Sequence, residues 1–379
     1  MKQSLLKLSL VAFAFVLNWN TISAQEDGNN AITTAAPFLL INPDSRAAGM
    51  ADAGVATAAD VNSQFLNPAK YAFIEGDMGV SISFTPWLRK LVNDINMSTA
   101  AFYYRLDKMQ TVSASVRYFT MGQIDFTDGL GNPMFSAKPN EFAIDAAYSR
   151  VLSDKFSGAV AFRYIHSDLT NGSVDGLKAG NAFAADMAFY FRQPMRVNRN
   201  DAEFTAGINI SNIGSKISYD GINKEFIPTN LKLGAGYFME LDRYNSISFA
   251  LDINKLLVPS NQLRPDDADE DWVDPNEDKS VPAAIFGSFS DAPGGFEQEL
   301  QEITFSVGAE YWYNKQFALR AGYFHEHENQ GNRKFASAGF GLKFNIFTLD
   351  ASYIIPMVQN NPLANTMRFS LSFDLSDIL

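Results

Sequence analysis

The sequence predicts an all-β fold, a 14-stranded antiparallel transmembrane β-barrel with its N-terminal segment inside the lumen. Three observations lead there. Fourteen segments of about ten residues alternate apolar with polar side chains, ionised residues avoid one edge of those segments, and the connections alternate between short and long.

Residues 1–24 read as a signal peptide. Lys2 and Lys7 precede an apolar run from Leu8 to Leu17, and Ile22-Ser23-Ala24 supplies small residues for cleavage. That run is far short of the roughly 20 residues that a spanning helix needs. The chain has no cysteine, which excludes a disulfide frame, a thiolate metal site and a cysteine-borne acyl anchor. No later stretch offers the ~18 consecutive apolar residues of a membrane helix. The formal charge is -12, and removing Lys2 and Lys7 makes it 28 minus 42, or -14, which excludes the basic face a nucleic-acid partner requires.

Residues 25–77 form the expected lumenal plug, centred on Arg46 to Phe73, RAAGMADAGVATAADVNSQFLNPAKYAF. Its Gly and Ala spacing suits neither an exposed amphipathic helix nor an alternating strand. Small residues let backbone run close to surrounding walls, and Asn67-Pro68 forces a turn. Arg46, Gly49, Gly54, Asp60, Asn67 and Pro68 are the expected lumenal residues. The segment is expected to enter from the periplasmic side and to pack its small residues against a polar wall.

Residues 78–379 form the expected barrel with long extracellular loops. The alternation is clearest where Phe305, Val307, Ala309 and Tyr311 oppose Thr304, Ser306, Gly308 and Glu310, and where Phe249, Leu251 and Ile253 oppose Ser248, Asp252 and Asn254. Arg117, Asp145, Arg163, Asp186, Arg192, Lys232, Asp252, Glu310, Arg320, Lys343, Asp350 and Arg368 all fall on the polar edge. Lipid contact imposes such exclusion, because a charge at the bilayer midplane costs about 2 to 4 kcal/mol. Even-numbered connections are tight, apart from a longer sixth at Gln193 to Ala202, and odd-numbered ones are long. An even strand count with long external loops puts both chain ends in the periplasm of a Gram-negative cell, with the barrel in contact with outer-membrane lipid.

The plug stretch also carries a family resemblance. Its SRAAGM opening, GVATAAD centre and NPAKYAF close resemble the N-terminal signature of the FadL-like outer-membrane barrels and, among them, the PorV family of the type IX secretion system. The departure is Ala51-Asp52, where such proteins often carry Gly-Gly. The resemblance implies a non-enzymatic subunit without a cofactor. It implies three protein partners: a giant SprA-like translocon barrel, the C-terminal signal domains of cargo, and an attachment complex containing a PorU-type sortase. The alternative function is a FadL-type channel for uptake of hydrophobic small molecules.

Other chemistry is weakly signalled. The stretch from Lys255 to Glu302 holds twelve carboxylates against three cations, and Asp267, Asp269 and Asp271 are spaced like a calcium loop without its Gly and Glu. The same stretch carries Trp272, Ile285, Phe286, Phe289 and Phe296, apolar side chains that need a partner or a fold-back onto the rim and so mark a protein-docking loop. His325 and His327 lack a third zinc ligand nearby. His166, Ser167 and Asp168 are adjacent on a strand and diverge, so they do not form a triad.

Overall fold

Alternating β-branched, aromatic and small polar residues fold as strands along most of the chain. The computed structural model describes residues 31–376 apart from 128–129, 131, 175, 262–274, 277 and 359–360. The predicted leader, the calcium-like aspartates and Trp272 lie outside the described residues. In order, the strands are β1 (Met78–Pro86), β2 (Asn96–Arg105), β3 (Gln110–Thr120), β4 (Ile124–Thr127), β5 (Pro133–Ala137), β6 (Asn140–Ser153), β7 (Phe156–Asp168) and β8 (Gly180–Val197). They continue as β9 (Asn200–Gly214), β10 (Asn230–Glu240), β11 (Asn245–Leu256), β12 (Thr304–Tyr313), β13 (Phe317–His325), β14 (Phe335–Phe344), β15 (Phe347–Pro356) and β16 (Met367–Asp374).

Fourteen of these close into one antiparallel barrel, in which β3 pairs with β6 and β1 pairs with β16. The remaining pair, β4 and β5, makes a separate hairpin within the loop after β3. Closure leaves no sheet edge, as backbone in hydrocarbon requires.

The barrel is inside out relative to a soluble sandwich. Phe162 and Phe183 on the apolar edge are each 69% exposed, whereas Asp252 and Glu310 on the polar edge are each 1% exposed. Arg117, Asp145, Arg163, Asp186, Arg320, Asp350 and Arg368 are buried as well. No described helix is long and apolar enough to cross a membrane.

Connections sort by rim. One rim, the turn rim, carries the tight turns 106–109, 154–155, 198–199, 241–244, 314–316 and 345–346 together with the start of β1 and the end of β16. Asn198 and Arg199 both have positive φ, as do Asn314 and Lys315, and this backbone matches strand twist in a two-residue hairpin. The sixth connection is therefore tight, contrary to the expected longer one. β8 and β9 stay paired to Val197 and Asn200, well beyond the start of β7 at Phe156, which pairs with Phe191. In two other turns, backbone amides of Met109 and Tyr244 donate to Asp107 and Asp242, holding those carboxylates below their ordinary range.

The opposite rim, the loop rim, carries the long connections. Besides the β4–β5 hairpin, it holds two helices in the longest loop, α2 (Val281–Gly287) and α3 (Phe296–Gln301). α2 starts where the Ser280 side chain accepts from Ala283 N with Pro at the first turn.

The N-terminal segment has local order of its own. It contains 3-10 turns at Pro37–Leu40, Ser63–Phe65 and Pro68–Phe73 and the short helix α1 (Ser45–Gly49). Asp44 caps α1 by accepting from the backbone of Arg46 and Ala47, and Asn67 caps the last turn by accepting from Ala69 N. Its described part starts at the loop rim and not at the rim where β1 starts: Ala35 N donates to Phe226 O, and Asn261 donates to Ala31 O. The apolar run of Phe38 and Leu39 explains why: both are buried with Phe119, Ile165, Ile217 and Ile227 near the loop ends of the strands.

Glycine placement lets this segment approach the wall. A Cβ at Gly322 would collide with the backbone of Met50, and one at Gly339 would lie 2.9 Å from Gly49 Cα. Gly322→Val is expected to cost about 1–3 kcal/mol by overpacking, despite the better strand propensity of valine. The check is the temperature at which the folded barrel band disappears on electrophoresis, which should fall; an unchanged temperature would contradict this packing.

Candidate functional site: the bonded interior and the loop platform

Residues 34–77 and the polar edge of the barrel satisfy one another. The Arg46 guanidinium donates to both Glu310 oxygens at 2.9 and 2.8 Å and to Asp60 at 2.9 Å. Glu310 also accepts from Arg320 Nε at 2.7 Å, and Arg320 reaches Asp350 at 2.7 Å. Arg368 pairs with Asp52. The amides of Gly54 and Val55 donate to Asp252 at 2.7 and 3.0 Å. Such bonds are required here, because a buried charge without a partner costs several kcal/mol.

Each expected plug residue has a place in this arrangement. Arg46 and Asp60 pair with each other; a Cβ on Gly49 would sit 3.1 Å from Gly339 Cα; one on Gly54 would overlap Leu66. Asn67 donates to Val55 O and Phe189 O, both at 3.0 Å, and Pro68 O accepts from Ser149 at 2.7 Å. Their wall partners Glu310, Arg320, Asp252 and Arg368 are visible in the sequence only as members of the polar edge. Nothing local in the sequence pairs Arg46 with a residue 264 positions away.

Two cavities lie inside the barrel. A cavity of about 440 Å³ lies toward the loop rim, lined by residues including Phe38, Trp87, Lys232, Ser306, Arg333 and Arg368. A second, of about 770 Å³, lies toward the turn rim, lined by residues including Asp60, Phe73, Tyr103, Arg192, Glu203 and Asp374. They share no lining residue, and the bonded layer around Arg46 and Asp52 lies between them.

At the loop rim, the long connection is anchored by charge. Lys255 Nζ donates to Glu299 at 2.9 Å and to Glu302 at 2.6 Å, and Glu299 also accepts from Ala292 N at 2.8 Å. Burial pushes the Glu302 carboxyl up, opposed by its bonds from Lys255 and Ser260. Lys279 pairs with Asp291 at 3.4 Å. These carboxylates are thus tied down rather than free in solvent. On this base Phe286 is 79% exposed, Phe289 52% and Phe296 75%, while Ile285 is half-buried. Three large apolar side chains are thus left exposed on a connection whose carboxylates are anchored.

The histidines serve other ends. His325 stacks on Phe305 at 4.8 Å between ring centroids, and His327 caps the turn Glu328–Gln330 by accepting from Asn329 N. His166 contacts Asn181, whereas Ser167 donates to Glu141 on the buried side of the strand. The described residues hold no group of three or more His, Cys, Asp or Glu arranged for a metal ion.

Among solved structures, the chain resembles a FadL homologue of Pseudomonas aeruginosa at 10% identity and a TM-score of 0.46, covering 92% of this chain and 100% of that one. It also resembles the toluene transporter TodX of Pseudomonas putida at 11% identity and a TM-score of 0.49, covering 86% and 96%. The toluene transporter TbuX of Ralstonia pickettii is similar at 12% identity and a TM-score of 0.43, covering 88% and 96%. No curated protein sequence matches. The family model described as type IX secretion system protein PorV matches residues 23–263, well over half of the chain. With that match laid over a closed fourteen-strand outer-membrane barrel, the chain belongs to the PorV family of type IX secretion system components.

Proposed function

We propose that this barrel is a sealed docking subunit: it binds the C-terminal signal domain of cargo leaving the translocon and hands the cargo to a surface attachment complex. The partners are an SprA-like translocon barrel, the cargo signal domains and an attachment complex with a PorU-type sortase. The loop rim faces the cell exterior and the turn rim, with the start of β1 and the end of β16, faces the periplasm, following the habit of outer-membrane barrels. Residues 34–77 plug the lumen, and the protein performs no reaction.

The observation that carries this reading is the platform of Phe286, Phe289 and Phe296 on a loop fixed by the Lys255 ion pairs. Exposed aromatic residues are the material of interface hot spots. The uptake alternative needs a continuous lumen or a gap in the wall. The two cavities share no lining residue, and β3 pairs with β2 from Thr111 and with β6 from Gln110, in both cases to Thr120 without a register shift, so both features weigh against it.

Replacing Phe286, Phe289 and Phe296 together by serine is expected to reduce co-isolation of the translocon barrel and of cargo from gently solubilised outer membranes by tenfold or more, about the loss of one hot spot. Undiminished recovery of both, with the folded barrel band retained, would overturn the docking role. In planar bilayers the intact protein is expected to pass no steady ion current, and deletion of residues 44–74 to open a conducting pore. A steady current through the intact protein would contradict the seal.

A further inference from the structure

We infer that the polypeptide threads the barrel from outside to inside, so that residues 31–35 stand on the outer face of the membrane, opposite the rim where β1 begins. β3 serves as a ruler. It starts at the turn rim with Gln110 and ends at the loop rim with Thr120, and its inward residues meet the N-terminal segment in reverse chain order. Thr111 donates to Tyr71 O at 3.2 Å, Ser113 to Gln64 at 2.6 Å, Arg117 to Leu39 O at 3.1 Å, and Phe119 stacks on Phe38. At about 3.3 Å per residue along the strand, these eight steps span most of a bilayer's hydrocarbon thickness once strand tilt is allowed for.

Both ends of the thread are tied. At the loop rim, Ala35 N donates to Phe226 O at 2.9 Å and Asn261 to Ala31 O at 2.6 Å, joining the segment to the loops after β9 and β11. At the turn rim, the Asp77 amide donates to Ser376 at 2.7 Å. The fixing is strongest inside: the Arg117 guanidinium is buried, and Phe38 and Leu39 are buried with Ile165, Ile217 and Ile227. Thr33, by contrast, is exposed. A partner that meets the outer loops therefore also meets the amino-terminal strap, which forms part of that face rather than hanging in the periplasm.

The absence of cysteine gives a clean test, although its reading as "outside" rests on the orientation proposed above. Three single variants are made in the full chain: Thr33→Cys, Ile222→Cys in the loop after β9, where the side chain is 81% exposed, and Asp154→Cys in a turn at the other rim. Intact cells are treated with a membrane-impermeant maleimide, then cells with a permeabilised outer membrane, with denatured protein giving the total and the folded barrel band verifying each variant. Thr33→Cys is expected to label in intact cells to within twofold of Ile222→Cys, with Asp154→Cys labelled only after permeabilisation. Labelling of Thr33→Cys alongside Asp154→Cys, or only after denaturation, would overturn the inference. Should Ile222→Cys be the protected site and Asp154→Cys the accessible one, the orientation fails, and grouping of Thr33→Cys with Ile222→Cys would still establish the threading direction.

Discussion

Everything in this structure depends on one constraint: a cylinder of fourteen strands with lipid outside must hold its ionised residues inside, and each of them needs a partner there. Strand alternation delivers Glu310, Arg320, Asp350, Asp252 and Arg368 to the interior whether or not anything awaits them. Wall-to-wall pairs meet part of the need, as where Arg163 bonds Asp145 and Asp186. The remainder is met by the N-terminal segment, whose Arg46 bridges Glu310 and Asp60 and whose Asp52 takes Arg368. Removing one partner from a buried pair of this kind typically costs about 3–5 kcal/mol, far more than a surface pair is worth. Segment and wall are thus one electrostatic unit.

The same constraint explains the glycines and alanines. A segment that bonds to a wall through its own backbone must come within backbone distance of it, so side chains on both surfaces shrink. Gly207, Gly234 and Gly236 face Val55 and Ala56, and Gly308 and Gly322 face Met50. Small residues that looked like a poor helix are the contact surface of a bonded layer, and the short helix α1 is tolerated because its face is buried rather than exposed. On either side of that layer lie two cavities that share no lining residue.

At the loop rim, order comes from a different source. α2 and α3 are too short to be stable alone, and the loop is held by Lys255, near the end of β11, which gathers Glu299 and Glu302 from the far side of the connection. An acidic stretch that reads as solvated when taken residue by residue is, in this part, a clamp. On that clamp Phe286, Phe289 and Phe296 remain exposed.

The sequence by itself determined the strands, their number and their two faces, because each is written in a period of two that needs no distant information. Segments such as 304–313 and 367–374 carry that pattern strongly enough to place their ends within a residue or two. It determined the family too, through a run of small residues around Arg46 that is distinctive as a string. What it did not carry was the partner of Arg46, the clamp on Lys255, the extra pairing of β8 with β9, or the hairpin β4–β5, whose turn lacks the regular alternation of a barrel strand. Nor did it carry the rim at which the described part of the N-terminal segment starts. Those features are fixed by which residues closure of the cylinder brings opposite one another. Closure joins positions such as Arg46 and Glu310 or Phe38 and Phe119, far apart in the chain, and only a folded wall can decide between two ways of running a segment along it.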